Sequence, residues 1–365
     1  MTEDEDEYED EDEDEEEEAS AAAPAPVVTP AAAQAAAAVA ASGEGQPAAK
    51  EWVGLQSMPA QTQQSLMEVL NRLREKGQEE MTVMFVGKQG TGKSSTLNSV
   101  LNERVRASAP FQPESLTPVL AARRAAGFTL TLLDTPGLLE GDSVSARGIG
   151  IMKMALSDAR VKVHAVVYMD RLDNWRVDNS DRAIFKALAE NFGMDIWERT
   201  VLGFSHGQLT PPNGKPPPER ELTPQEQAQE KERRAKEYEA YVEARANVMR
   251  SAIRDTLNAP HLELPHAVIE NGSRCATNGG GEKVLPDQPG TVWLTKFVST
   301  LVDIATAKRG VAMAYDPNAE YASENPNKKH RLFILPLLAL QVLVLRPLLT
   351  RQIRADCKAG VGGRV

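Results

Sequence analysis

The feature that most constrains this chain is a glycine-rich run of eight residues, GKQGTGKS, at positions 87–94. It follows a segment with strand composition and precedes a segment with helical composition. In that context the glycines let the backbone wrap closely around phosphate groups with its N–H groups, and the N-terminus of the next helix adds partial positive charge. The pattern G-x-x-x-x-G-K-S therefore predicts a P-loop that binds a nucleoside di- or triphosphate.

Two side chains of this loop have specific roles. Lys93 is expected to reach the β- and γ-phosphates and to act in catalysis, and Ser94 is expected to supply a hydroxyl ligand to Mg²⁺. The predicted nucleotide-binding residues of the loop are Gly87, Gln89, Gly90, Thr91, Gly92, Lys93, Ser94 and Ser95.

A second motif on the phosphate side is FTLTLLDTPG at 128–137. It reads as a strand that ends in Asp134, which is expected to hold Mg²⁺ through a water molecule, while the N–H group of Gly137 senses the γ-phosphate. A switch segment is expected between the two motifs, where Thr117 or Ser115 is a further candidate ligand of Mg²⁺. An ordinary turn beside two prolines explains that segment nearly as well.

Residue 138 is Leu, at the position where a Ras-like GTPase carries the Gln that orients the attacking water. Without that Gln, slow intrinsic hydrolysis is expected. Slow turnover suits a timed switch better than a high-throughput enzyme.

The base is the least constrained part of the site. The usual guanine-reading pattern N/T-K-x-D is absent at the end of the predicted strand Thr200–Ser205, where the sequence is Ser-His-Gly-Gln at 205–208. His206 is able to stack on a purine or hydrogen-bond to it, whereas Gln208 has no carboxylate to accept from guanine N1 and N2. Glu270, followed by Asn271, is a candidate for that carboxylate. On local evidence His206 as a plain loop residue and ATP as the ligand both stay open.

The order of apolar and amphipathic segments predicts an α/β fold, the three-layer sandwich of a P-loop NTPase with a mostly parallel sheet. Predicted strands are Thr82–Val86, Phe128–Asp134, Lys162–Met169, Thr200–Ser205 and His266–Glu270. Predicted helices are Gly92–Leu101, Val144–Ala159, Ser180–Asn191, a stretch within Gln225–Leu257, and Thr291–Ala305.

The two ends of the chain differ in composition from this domain. Residues 1–18 contain fifteen Asp or Glu, so they are expected to repel one another and stay extended, and Ala/Pro-rich sequence follows. The acidic charge argues against nucleic acid as a partner. The expected organisation is a disordered tail over 1–50, a GTPase-like P-loop domain over 51–310 with a charged insertion near 211–245, a linker over 311–331, a membrane span over 332–350, and a short basic tail over 351–365.

The span is predicted from LFILPLLALQVLVLRPLL at 332–349, which is aliphatic on all faces of a helix. Eighteen residues make about 27 Å of helix, close to the thickness of a bilayer core. A single-pass C-terminal tail anchor with the GTPase domain in the cytosol is expected. A buried core helix or an amphipathic surface helix are the alternatives.

Taken together, these motifs resemble the Toc GTPase family, the small GTPase receptors of the preprotein-import complex in the chloroplast outer envelope. The residues that carry the resemblance are GKQGTGKSS (87–95), SAPFQPES (108–115), AGFTLTLLDTPGLLEG (126–141), YMDRLDNWRVDN (168–179), the Ser-His-Gly-Gln turn, ENGSRC (270–275) and EKVLP (282–286).

The resemblance implies a GTP hydrolase that uses Mg²⁺, with His206 and Glu270 around the guanine base. It implies a homo- or heterodimer through the nucleotide face, in which Arg171 approaches the partner's nucleotide. Judged locally, Arg171 fits equally well as a surface ion-pair residue beside Asp170 and Asp173. The implied partners are transit peptides, the larger receptor GTPase and the β-barrel import channel.

Two departures from the family pattern are the acidic N-terminus, which is similar to the acidic domain of the larger receptors, and the charged segment 211–245. The function expected is therefore a tail-anchored receptor that binds transit peptides and passes preproteins to the channel under GTP/GDP control. A structural tether that needs nucleotide only for its fold or dimer, and a septin- or immunity-type membrane GTPase, are the alternatives.

Overall fold

The computed structural model of the chain describes residues 49–105, 118–141, 143–158, 161–174, 176–208, 221–287, 290–307, 310–313, 315–316 and 346. The candidate ligand Thr117, most of the N-terminal tail and the predicted span apart from Arg346 lie outside these residues. Within them, none of the helices is long and apolar enough to cross a membrane.

The strands are β1 Lys50–Glu51, β2 Glu80–Gly87, β3 Val119–Ala125, β4 Phe128–Asp134, β5 Leu139–Glu140, β6 Ser143–Val144, β7 Ala165–Arg171, β8 Thr200–Ser205 and β9 His266–Val268. The helices are α1 Val53–Gln56, α2 Ala60–Glu75, α3 Lys93–Leu101, α4 Ala146–Asp158, α5 Asn179–Phe192, α6 Asp195–Glu198, α7 Pro224–Leu257 and α8 Trp293–Ala307.

Seven strands form one sheet in the order β1-β3-β4-β2-β7-β8-β9. Its central strands read as continuous apolar runs because helices cover both faces of such a sheet, and all but the first residue of β2 are buried. Helix α2 packs against α8, and α5 packs against α7. The predicted α/β fold with a mostly parallel sheet is confirmed.

The sheet is not parallel throughout, because β3 and β4 are antiparallel. They are joined at Ala126 and Gly127, whose φ angles of 48° and 77° fit a two-residue hairpin turn. Strand β3 was not predicted from the sequence, since this strand near the sheet edge carries two arginines and is only partly buried. The short strands β1, β5 and β6 and the helices α1, α2 and α6 were not predicted either.

The strand order locates the binding crevice. From β2 the chain continues to β3 and then β4 on one side, and from β7 it proceeds to β8 on the other side. In an open α/β sheet, a ligand binds outside the carboxyl ends of two adjacent strands whose connections run in opposite directions. Those ends are Gly87 of β2 and Arg171 of β7.

Candidate functional site

The glycine-rich loop leaves β2 at Gly87 and enters α3 at Lys93. Gly87 has a φ of 143°, and a Cβ atom there would lie 2.3 Å from the Met169 carbonyl oxygen, so no other residue fits. Gly92 caps α3 with a φ of 90°, a left-handed conformation that glycine adopts without strain. The loop is therefore held close to β7 and turns directly into the helix N-terminus.

Lys93 lies under this loop. Its side chain is buried, and Nζ donates hydrogen bonds to the carbonyl oxygens of Lys88 at 2.7 Å and Gly87 at 3.4 Å. Thr91 Oγ1 also donates to the Lys88 carbonyl at 3.0 Å, while Gln89 and Gly90 are exposed at the outer rim. The ammonium group is thus fixed within the loop that is predicted to hold the phosphates.

The two predicted metal-binding side chains meet although they come from different motifs. Ser94 Oγ donates to Asp134 Oδ2 at 2.6 Å, and Asp134 is fully buried at the end of β4. Mg²⁺ prefers oxygen ligands and uses one or two carboxylates together with waters and phosphates, so a hydroxyl beside a single carboxylate fits this ion. No cluster of three or more His, Cys, Asp or Glu suited to a metal occurs in the described parts of the chain.

The segment after Asp134 is tied to the P-loop strand. Thr135 Oγ1 donates to the Phe85 carbonyl at 2.7 Å, and the Leu138 N–H group donates to the Gly87 carbonyl at 3.2 Å. Gly137 is partly buried between them, and the Leu138 side chain is completely buried in the core. Residue 138 therefore presents no side chain toward a water molecule in this arrangement.

The base-reading candidates come together because β8 and β9 are neighbours. Glu270 is buried, its Oε2 accepts from the Gln208 N–H group at 2.7 Å, and its Oε1 accepts from the Gly272 N–H group at 2.6 Å. The Gly207 N–H group donates to the Ile269 carbonyl at 3.1 Å, which fixes the turn that carries His206. Gln208 contributes its backbone N–H group to this site, a role that could not be predicted from its side chain.

Asn271 links the base side to the phosphate side. Its Nδ2 donates to Thr96 Oγ1 in α3 at 2.9 Å, and it lies 3.5 Å from where a Cβ atom on Gly92 would be. Its Oδ1 is buried without a hydrogen-bond partner among the described residues. A buried acceptor of this kind is costly unless a ligand or water satisfies it, so the site fits a nucleotide.

His206 has an unusual environment. Its φ of 62° is left-handed, and its Nδ1 lies 3.0 Å from Ser205 Oγ. Burial, and then the nearby charge of Arg171, lower the pKa of the imidazole below 6.5, so the ring is neutral at pH 7.

Arg171, at the end of β7, forms a bidentate ion pair with Asp173: Nε to Oδ1 and Nη2 to Oδ2 are both 2.8 Å. The pairing raises the pKa of the guanidinium and lowers that of the carboxyl group. About two-fifths of each side chain is exposed, at 38% and 37%. The local alternative for Arg171, a surface ion pair, is present in the molecule; its role toward a partner's nucleotide stays a prediction.

One charged contact was missed by sequence reasoning. Lys88 Nζ lies 2.8 Å from Asp181 Oδ1 and 3.2 Å from Asp178 Oδ2 at the start of α5. Asp178 and Asp181 form a capping box, in which each side chain accepts from the other's backbone N–H group. The signal in the sequence was the pattern D-x-x-D before an amphipathic segment. This contact ties the P-loop to the segment that follows Arg171.

Comparison with known proteins gives one family and several close structures. The AIG1 family model matches residues 81–215. The chain is 35% identical to Translocase of chloroplast 34 of Pisum sativum over 311 residues, which cover 85% of this chain and 93% of that protein. It is 33% identical to the crystal structure of Toc33 from Arabidopsis thaliana in complex with GDP and Mg²⁺, with a TM-score of 0.61 over 73% of this chain and 100% of that one.

A second solved structure, described by the statement that dimerization is important for the GTPase activity of the chloroplast translocon components atToc33 and psToc159, matches with 33% identity and a TM-score of 0.62. The alignment covers 73% of this chain and 98% of that chain. The similarity therefore spans the whole described domain and not only the P-loop.

Proposed function

We propose a receptor function for this chain, which belongs to the family of chloroplast translocase GTPases that includes Translocase of chloroplast 34. It binds GTP and GDP, hydrolyses GTP to GDP and phosphate, binds the transit peptides of chloroplast preproteins, and passes preproteins to the β-barrel channel of the outer envelope. The observation that carries the guanine assignment is the buried Glu270 carboxylate, which two backbone N–H groups hold near the His206 turn.

Guanine recognition follows from the chemistry of this carboxylate. The Watson–Crick edge of guanine presents N1–H and N2–H donors, and each carboxylate oxygen has a second acceptor position after its backbone hydrogen bond. The neutral His206 ring provides a face for the purine, and Asn271 Oδ1 provides a further acceptor. Adenine lacks the N1–H donor, so Glu270 disfavours it.

On the phosphate side, the loop residues 87–95 bind the β- and γ-phosphates, and Lys93 neutralises their charge. Ser94 and, through a water, Asp134 hold Mg²⁺, with Thr117 as a candidate third ligand, and the ion supplies charge neutralisation on the phosphates. The Gly137 N–H group senses the γ-phosphate. Because Leu138 is buried and no Gln stands there, intrinsic hydrolysis is slow.

The dimer assignment concerns Arg171. Toc33 and psToc159 are the proteins for which dimerization is tied to GTPase activity. In this chain, the partly exposed Arg171 lies on the nucleotide side of the sheet and has an electrostatic influence on His206. We infer that a second copy of this chain or the larger receptor docks on this face. In the dimer, Arg171 leaves its ion pair with Asp173 and contacts the partner's nucleotide instead.

Residues 332–350 supply a single transmembrane anchor in the chloroplast outer envelope, with the GTPase domain on the cytosolic side. Their length and aliphatic composition support this assignment. The fifteen acidic residues in 1–18 give the receptor an electrostatic preference for basic transit peptides.

The switch is tested by measuring the affinity of the full chain for a synthetic transit peptide with GDP and with a non-hydrolysable GTP analogue bound. A receptor switch requires different affinities in the two states, typically by about fivefold or more. Lys93→Ala is the control, because it removes the main phosphate contact and its peptide affinity should not respond to nucleotide. Equal affinities in the wild type would contradict the switch and favour the structural tether.

The anchor is tested separately by deleting residues from 332 onward. The truncated protein should move from the membrane to the soluble fraction, whereas a matched deletion of residues 1–18 should stay with the membrane. Membrane retention of the protein cut at 332 would contradict the anchor.

A further inference from the structure

Helix α7 contributes side chains to the ends of β7 and β8. Three residues spaced three and four positions apart lie on one face of the helix and bind backbone or carboxylate oxygens at these strand ends: Tyr238, Tyr241 and Arg245. Tyr238 Oη donates to the Gly207 carbonyl at 2.7 Å, and Tyr241 Oη donates to the Leu172 carbonyl at 2.8 Å. The buried Arg245 pairs with Asp170. The helix therefore acts as a fixed frame for the loops around the nucleotide site.

The contact from Tyr238 is aimed at the turn that carries His206. The φ of 62° at His206 lies in the left-handed region, which is strained for a non-glycine residue, so neighbouring contacts must hold it. The turn has little room to relax, because a Cβ atom on Gly207 would lie 2.7 Å from Val268 Cγ1 and 2.9 Å from Leu285 Cδ2. Tyr238 itself is buried, with 3% of its surface exposed.

The carbonyl that Tyr238 binds belongs to the same peptide group as the N–H donor of Gln208. A peptide group is planar, so fixing the carbonyl oxygen of Gly207 also fixes the direction of the Gln208 N–H bond. That N–H group donates to Glu270 Oε2 at 2.7 Å. One rigid unit thus connects the Tyr238 hydroxyl to the carboxylate that is proposed to read guanine.

From this arrangement we propose that Tyr238 is a positioning residue that sets the base selectivity of the site by orienting the Glu270 carboxylate through the Gly207–Gln208 peptide group. The inference rests on the proposed guanine site. It assigns a role in specificity to a residue of the long charged helix, far in sequence from the P-loop. Tyr238 acts through Glu270 and does not itself touch the nucleotide.

The test is Tyr238→Phe in the full chain, with affinities measured for GDP, inosine diphosphate and ADP. Phe keeps the ring in the core and removes only the hydroxyl. The base of inosine diphosphate lacks the 2-amino group of guanine, so it donates fewer hydrogen bonds to the Glu270 carboxylate than guanine does. We expect the affinity for GDP to fall by roughly tenfold and the affinity for inosine diphosphate to fall less, so that the ratio of the two decreases.

Tyr168→Phe is the matched control. Tyr168, in strand β7, is also buried, but its hydroxyl has no hydrogen-bond partner in the described ranges. Removing the Tyr168 hydroxyl should leave the ratio of the affinities for GDP and inosine diphosphate unchanged. An equal loss of affinity for GDP and inosine diphosphate in Tyr238→Phe would leave their ratio unchanged, indicate general destabilisation, and overturn the proposal.

A double-mutant cycle shows whether Tyr238 acts through the carboxylate. In a Glu270→Gln background, Tyr238→Phe should produce little further change in the ratio, because the group that it orients is gone. Additive effects would overturn the mechanism. If Tyr238→Phe does not fold, amide hydrogen exchange of the wild type without nucleotide replaces it: slow exchange at Gln208 is expected, and fast exchange would overturn the pre-orientation of Glu270.

The wild-type measurement separates this inference from the function on which it rests. If the wild type binds GDP and ADP equally, the guanine site itself fails. If the wild type prefers GDP and Tyr238→Phe keeps its full preference, only the role of Tyr238 fails.

Discussion

Arg171 and Asp173 form an ion pair within one chain, on the face where we propose that a second GTPase docks. The two parallel hydrogen bonds of 2.8 Å hold the guanidinium in place, yet the pair is partly exposed and so contributes little to stability. A pair of this kind is able to exchange its carboxylate for a phosphate across an interface without a large cost. Arginine suits both a carboxylate and a phosphate because its planar guanidinium group forms two hydrogen bonds to either of them.

If Arg171 contacts the partner as proposed, Arg171→Ala should weaken the dimer by roughly tenfold or more, because arginine is enriched among interface hot spots. Nucleotide affinity of the monomer should stay within about twofold, since the guanidinium of Arg171 is already paired with Asp173 and the pair is partly exposed, so its net electrostatic contribution is small. Sedimentation of the GDP-bound full chain measures the dimer. Arg234→Ala, which removes an exposed arginine paired with Glu230 on α7, is the control. A wild-type profile for Arg171→Ala would remove its role in the interface.

Single residues also mark the limit of sequence reasoning. The P-loop residues were predictable because their chemistry depends on neighbours within one loop. Lys88, Gln208 and Tyr238 were not, because their partners lie 90, 62 and 31 positions away in the chain. Nothing in the sequence near Gln208 indicates that its backbone N–H group meets Glu270.

At the scale of elements, the capping box of α5 joins two parts of the site. Asp178 accepts from the Asp181 N–H group at 2.8 Å, and the same pair of carboxylates binds Lys88 of the P-loop. The N-terminal end of α5 thus supports the loop that is proposed to hold the phosphates. The largely exposed side chain of Asp178 makes the ion pair weak, so the cap is its main contribution.

Two substitutions at Asp178 separate the cap from the charge. Asp178→Ala removes both and should lower the free energy of unfolding by about 1 kcal/mol. Asp178→Asn keeps a capping side chain and should lower the free energy of unfolding by only about 0.3 kcal/mol, because Asp181 still binds Lys88. Urea unfolding of both variants measures the difference. Equal losses would contradict the dominance of the cap.

Elements with strong periodic or apolar patterns were predicted well, and elements defined by their neighbours were not. The predicted bounds of β4 and β8 agree with the structure, because both strands are apolar runs with clear ends. The strand β3 is half-exposed, and its position depends on pairing with β4 through the turn at Ala126 and Gly127. Whether 211–245 is a separate insertion stays a prediction, although α7 runs without a break from Pro224 to Leu257.

At the scale of the whole molecule, three buried or partly buried histidines make stability depend on pH. Burial is the largest cause of a lowered pKa for His164, His206 and His266. Each folded-state pKa lies below the unfolded value of about 6.5, so the unfolded chain binds more protons once the pH falls below that value. Stability contributed by the neutral rings is therefore present above pH 6.5 and is lost as the pH falls toward the folded-state values.

The urea midpoint of the full chain should accordingly be lower at pH 5.5 than at pH 7.5, with an unchanged dependence of the unfolding free energy on urea concentration. A triple variant with Gln at the three histidine positions should lose most of this difference. An equal or higher midpoint of the wild type at pH 5.5 would contradict the assigned directions of the pKa shifts.

The proposed receptor function depends on guanine selectivity without the usual reading motif. Isothermal titration calorimetry of the full chain with GDP and ADP tests this selectivity most directly, with Lys93→Ala as the control that should bind GDP roughly 100-fold more weakly or not at all. We expect tight binding of GDP and no detectable heat from ADP. Comparable affinities for the two nucleotides would contradict the proposal that Glu270 and His206 select guanine.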